Sequence, residues 1–228
     1  LKSAVDNLLL NSSRLRITCP LGTNMEGKVN HKKYHESKDV SVERFPLGVS
    51  QPVLCNSFTG RVALTRYLTP TGSSVYQPAT LSIPKIVYAE VEKGQIVRFS
   101  GDKDTVTKVN KHYAHVAKLF GIDGSIVHSF HAGIHPGASY QYSASENPDR
   151  WSNNVFTNPK FLHFHTCGAY APGEICWMIL NPTINIDGNN LWEQGQLKTE
   201  RFEKTRACLD EWPELISLFK HPSNEIGV

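Results

Sequence analysis

The segment Phe161-Leu162-His163-Phe164-His165-Thr166 alternates in the manner of a strand. That alternation sends His163 and His165 to one face and Leu162 and Phe164 to the other. Two imidazoles at this spacing can share a metal ion. The stretch Gly173-Glu174-Ile175-Cys176-Trp177-Met178 follows an Ala171-Pro172-Gly173 turn, so antiparallel pairing of the two segments would bring Glu174 beside His165. His163, His165 and Glu174 then form a two-histidine, one-carboxylate ligand set with open positions. Such a set suits non-haem Fe(II), and also catalytic Zn(II) or Mn(II). Cys176 shares the face of Glu174 and is either a further ligand or redox thiol, or a small core residue.

Five of the ten histidines fall between His128 and His165. In Ser125–Gly137 the same alternation places Ser129, His131 and His135 on one face, and His128 on the other with Phe130 and Ile134. His131 is therefore the better candidate for an acid/base, a ligand or a substrate contact, and His128 reads as a core histidine. His135 stays open between a functional and a surface role. Between the two histidine segments, Tyr140–Trp151 reads as a loop rich in aromatic, polar and charged groups. It either caps a site, with Tyr142 or Arg150 orienting an anionic or aromatic substrate, or is an ordinary solvated loop. Asp187 beside Gly188 is turn chemistry. A phosphate-cradling glycine loop, a Gly-x-Ser-x-Gly elbow and zinc-finger spacing are all absent from the sequence.

The elements that must position these groups are mostly strands. Arg14–Thr18, a strand reaching Val29, Val53–Asn56, Gly60–Leu68, Lys85–Val91 and Gln95–Phe99 precede one long helix over Asp102–Phe120. Val106, Val109, Tyr113, Val116 and Phe120 make that helix amphipathic, and Gly121 stands where it should stop. Strands resume at Ser125–Gly133, Lys160–Thr166, Glu174–Leu180, Thr183–Ile186 and Leu191–Glu193. Residues 2–12 predict a short opening helix, 30–39 and Thr69–Ser74 loops, and 200–220 a closing helix or two broken by Pro213. The fold expected is α+β, a mainly antiparallel sheet or barrel-like core with the long helix packed on it and short helices at both ends.

At 228 residues, 39 % hydrophobic and 20 % charged, one domain over residues 1–228 is the expectation. A formal charge of +3 with scattered Lys and Arg argues against nucleic acid as a partner. No apolar run is long enough for a membrane span or a signal-peptide core. Five cysteines without a Cys-x-x-Cys pair fit reduced thiols and a cytoplasmic enzyme. A small-molecule substrate and a homodimer complete the expected partners.

Several segments resemble the aminopeptidase T group of thermophilic leucyl-aminopeptidase-like metallopeptidases, which also contains the iron-dependent 2,5-dihydroxypyridine dioxygenases. The similar stretches are Leu15-Arg16-Ile17-Thr18 with Gly22-Thr23, Phe45-Pro46-Leu47-Gly48-Val49, Gly60-Arg61-Val62 and Glu92–Val97. They continue with Gly133-Ile134-His135-Pro136, His163-Phe164-His165 and Thr183–Gly188. The likeness runs thinly over roughly residues 10–200, and the N-terminal α/β domain usual in that group is expected to be absent or cut off here. It also implies ligands that are rewritten here. His163 matches the group's middle histidine, Glu174 and Cys176 stand where a His-x-Asp pair is usual, and the Ser129/His131 neighbourhood replaces an early glutamate. The acids needed for the peptidases' two-metal arrangement are missing, which points to a mononuclear site. The His-x-His pair is also similar to that of cupins, whose gap before the glutamate is shorter.

Three readings follow. The first is an Fe(II)-dependent dioxygenase acting on a small aromatic or N-heterocyclic molecule, with His163, His165 and Glu174 on the metal, His131 as acid/base, and Tyr142 or Arg150 orienting the substrate. The second is a Zn(II)- or Mn(II)-dependent hydrolase. The third is a binding protein whose histidines are structural.

Overall fold

Leu15 and Ile17, at alternate positions of Arg14–Thr18 (β1), are fully buried, as is Met25 on Asn24–Lys28 (β2), and the two strands form the first antiparallel hairpin. The computed structural model describes residues 1–29, 48–70, 76–168 and 172–228. The loop expected over 30–39, most of Thr69–Ser74 and part of the Phe45–Val49 resemblance lie outside them.

After a short opening helix, Lys2–Leu10 (α1), and the first hairpin come Val53–Leu54 (β3), Thr59–Leu68 (β4), Leu81–Glu92 (β5) and Gln95–Gly101 (β6). The helix Lys103–Phe120 (α2) leads to Val127–Ala132 (β7), the helix Pro148–Val155 (α3), Phe161–Cys167 (β8) and Glu174–Leu180 (β9). Thr183–Ile186 (β10), Asn189–Glu193 (β11), Gln196–Leu197 (β12) and the helices Glu203–Glu211 (α4) and Glu214–Lys220 (α5) close the chain.

The strands form an eight-stranded sheet, in the order β12-β11-β10-β1-β2-β4-β5-β6, and a four-stranded sheet, β3-β7-β8-β9. Every pairing between these strands is antiparallel. The fold is thus α+β. Among the described residues neither sheet closes into a barrel, because β12 and β6 stand at opposite edges of the larger one.

Local chemistry explains the joints. The β5–β6 turn needs left-handed backbone at Lys93 (φ 49°) and Gly94 (φ 74°), and a Cβ on Gly94 would lie 2.7 Å from the Cys55 carbonyl oxygen, so glycine fits there. Asp102 caps α2 by accepting from the Thr105 amide at 3.1 Å, and Gly121 (φ 64°) ends it. Val109, Tyr113 and Val116 of α2 enter a core shared with both sheets.

The smaller sheet matters most for function. One face, made by Phe130, Ala132, Leu162, Phe164, Ile175, Trp177 and Ile179, belongs to that shared core. The other face carries the histidines and is covered by a second apolar cluster built from Trp151, Val155 and Phe156 with Phe161, Met178 and Ile226. The segment expected to be a loop through Trp151 therefore turns into a helix at Pro148. Asn147 caps it by accepting from the Arg150 amide at 2.9 Å, and the proline occupies the first turn, where no amide is needed. Among the described residues, no helix is long and apolar enough to cross a membrane.

Candidate metal centre

Strand register assembles the centre. Pairing of β7 with β8 sets His131 opposite His163 and Ser129 opposite His165, while pairing of β8 with β9 sets His163 opposite Met178, His165 opposite Cys176 and Cys167 opposite Glu174. Directly opposed residues share a face and lie close enough for their side chains to touch. Three imidazoles therefore converge. The His131 ring lies 5.0 Å from that of His163 and 4.8 Å from that of His165, and the last two are 5.2 Å apart. All three are buried, with exposures of 5 %, 4 % and 8 % in chain order.

Two groups of donors result. The ligand atoms of His131, His163 and His165 lie within 4.8 Å of one another, and so do those of His165, Glu174 and Cys176. The anticipated trio of His163, His165 and Glu174 is thus divided between two groups that overlap at His165. His131, foreseen chiefly as an acid/base, joins the imidazole group.

The surroundings decide which nitrogen of each ring is available. Nδ1 of His131 donates to the Ser50 carbonyl at 2.8 Å, which leaves Nε2 as its basic nitrogen. Nδ1 of His165 faces Oε2 of Glu174 at 3.2 Å, and its Nε2 is buried without a hydrogen-bond partner. Nδ1 of His163 is likewise buried and unpartnered. Phe156 stacks on the His163 ring at 4.2 Å and 9°. Burial, and then the neighbouring His131 and His165, hold His163 well below the usual histidine pKa, so it is neutral. Three converging imidazoles suit Fe(II), Zn(II) and related divalent ions. Two buried, unpartnered ring nitrogens in one place fit a bound cation.

Glu174 is itself held. Its backbone carbonyl accepts from the Tyr76 hydroxyl at 2.7 Å, and its Oε1 accepts from the Cys176 thiol at 3.0 Å. Burial, with the carboxyl and thiol groups nearby adding to it, drives the Tyr76 hydroxyl far above its ordinary pKa, so it stays a donor.

His128 departs from the strict alternation expected of it. The β7–β8 register shifts between Val127 and Ser129, leaving His128 at a β-bulge, where its Nδ1 lies 3.0 Å from the Ser129 hydroxyl. Burial, and then His165, lower its pKa, with Glu174 opposing them. His135 is exposed and accepts from the Gly137 amide at 3.2 Å in a turn. Tyr142 and Arg150 are both exposed and line a shallow cavity of about 220 Å³ with Ser139, Tyr140, Gln141 and Asn154, which contains none of the histidines. Their segment does cover the site's face, but through Trp151, Val155 and Phe156.

Sequence reasoning missed Ser50, Tyr76 and Phe156. Ser50 acts through its backbone carbonyl, which no side-chain pattern reveals. Phe156 had a signal in the Asn147-Pro148 helix start followed by Trp151 and Val155 at helical spacing.

No family model and no curated protein matches the sequence. Among solved structures, 2,5-dihydroxypyridine dioxygenase from Pseudomonas putida KT2440 is similar with a TM-score of 0.61 at 13 % identity, over 90 % of this chain and 60 % of that one. Wild-type AmpT from Thermus thermophilus is similar with a TM-score of 0.46 at 13 % identity, over 86 % of this chain and 52 % of that one. The chain therefore spans 60 % of the dioxygenase's length, and what it shares with it is a fold.

Proposed function

We propose that this chain is a mononuclear metal enzyme whose ion is seated among His131, His163 and His165, and that it is an Fe(II)-dependent dioxygenase of a small, dihydroxylated aromatic or N-heterocyclic molecule. The observation that carries the reading is the convergence of three buried imidazoles, two with ring nitrogens lacking any hydrogen-bond partner. An orphaned buried polar atom costs about 1–3 kcal/mol, and a cation removes that cost from both rings at once. The fold held in common with a dioxygenase supports the choice of reaction.

When bound, iron would supply a redox-active Lewis acid with open positions for a chelating substrate and O₂. The chain does the rest. The Ser50 carbonyl holds the proton on Nδ1 of His131 and so leaves Nε2 as the nitrogen that would hold the ion. Glu174 stands at Nδ1 of His165, where a carboxylate orients a ligating imidazole and raises its basicity. Phe156 and its cluster exclude water from the imidazole face.

One observation favours a second reading. A carboxylate beside a three-imidazole set is also the arrangement of a water-activating zinc site, with Glu174 as general base. Oxygen-electrode assays of the Fe(II)-reconstituted protein with dihydroxypyridines and catechols separate the two. Uptake of O₂ matching substrate loss is the expected result. Turnover of amide or ring C–N substrates under argon would transfer the assignment to the hydrolase.

A further inference from the structure

Beside the three-imidazole seat lies a second cluster, His165, Glu174 and Cys176, whose donor atoms all lie within 4.8 Å of one another and which is buried throughout. Two of its spacings are specific. Nδ1 of His165 is 3.2 Å from Oε2 of Glu174, and Sγ of Cys176 is 3.0 Å from Oε1 of the same carboxylate. In a tetrahedral site with metal–ligand bonds of about 2.0–2.3 Å, neighbouring donors stand roughly 3.3–3.8 Å apart. These two spacings are slightly tighter than those of an occupied site, and the remaining pair of donors lies within 4.8 Å.

We propose that His165, Glu174 and Cys176 form a second cation seat, of mixed nitrogen, oxygen and sulfur donors, for a borderline or soft divalent ion of the cobalt(II), zinc or cadmium kind. It rests on the three-imidazole reading only in sharing His165, and the two seats are filled one at a time: a neutral imidazole that ligates through one ring nitrogen keeps its proton on the other, so His165 carries its proton on Nε2 when Nδ1 takes the ion. Register gives the reason that the donors coincide. Cys176 lies directly opposite His165, and Glu174 is two residues earlier on the same face of β9. Ligation forms a sulfur–metal bond and breaks the S–H bond. The proton passes to solvent by way of Glu174, whose Oε1 already accepts it in a hydrogen bond. No electron changes hands. Thiolate supplies the selectivity, since sulfur favours zinc and softer ions over magnesium or calcium.

Anaerobic titration with cobalt(II) chloride tests the seat by its spectrum, independently of turnover. The expected result is a near-ultraviolet sulfur-to-cobalt charge-transfer band in the wild type, lost in C176S and C176A and retained in H163A, with circular dichroism confirming that each variant is folded. Visible cobalt bands without charge transfer would overturn the second seat and leave the three-imidazole centre standing. A charge-transfer band that survives in C176S would also overturn it, because the sulfur would belong to another cysteine. A spectrum with neither feature would refute both seats.

Discussion

At the scale of the residue, the centre depends on which nitrogen each imidazole has to offer. Ser50 fixes His131, Glu174 faces His165, and His163 is kept neutral by burial. If Glu174 positions His165, then E174Q should weaken the tighter metal equivalent roughly 10- to 100-fold without abolishing it. Competition with a metallochromic chelator measures this directly. A second prediction concerns His112, which is buried on α2 with Nε2 unpartnered and whose ring lies near Tyr76. Burial, reinforced by His115, lowers its pKa to about 4. Between pH about 6.5 and 4 the unfolded chain therefore binds a proton that the folded chain refuses. The stability it contributes is fully present above pH 6.5 and is lost as pH falls through that window, by about 3 kcal/mol. H112F should flatten this acid limb in denaturant unfolding curves taken across the window.

Part of this was legible in the sequence. Strand alternation set His163 beside His165 on one face, and His131 with Ser129 on one face of its own segment; pairing of the two strands joined them. The bulge that turns His128 out of register, and the carbonyl that orients His131, were not legible, since both are properties of backbone pairing between distant segments.

At the scale of the element, the register of β7 against β8 brings His131 and His163 together, and a slip of β7 by one residue would send His131 to the face opposite His163 and His165. A buried hydrogen-bond chain ties that sheet to α2. Trp177 Nε1 donates to the Tyr113 hydroxyl at 2.5 Å, Tyr113 pairs with the Thr166 hydroxyl, and Thr166 is hydrogen-bonded to the Ile175 carbonyl at 2.8 Å. Y113F leaves the Trp177 donor buried without its acceptor and should cost about 1–3 kcal/mol of unfolding free energy, measured by urea denaturation. The long helix and most strands followed from periodicity and turn residues. Helix α3 did not, because the polar run before it masks a single apolar stripe, Trp151 and Val155, that gains meaning only against the histidine face.

At the scale of the whole molecule, the α+β class was readable from the order of short strands around one amphipathic helix. Closure was not, because the antiparallel pairings that leave β12 and β6 as open edges join segments far apart in the chain. The fold is held in common with a dioxygenase at 13 % identity, so the chemistry must be argued from the side chains that fill it. Those side chains make a definite claim. Anaerobic titration of the metal-free protein with Fe(II), read by equilibrium dialysis, should give one tightly held equivalent per chain, lost in H131A and in H163A although both remain folded. Binding that is absent in the wild type, or that survives unchanged in both variants, would contradict the assignment of these imidazoles to a metal.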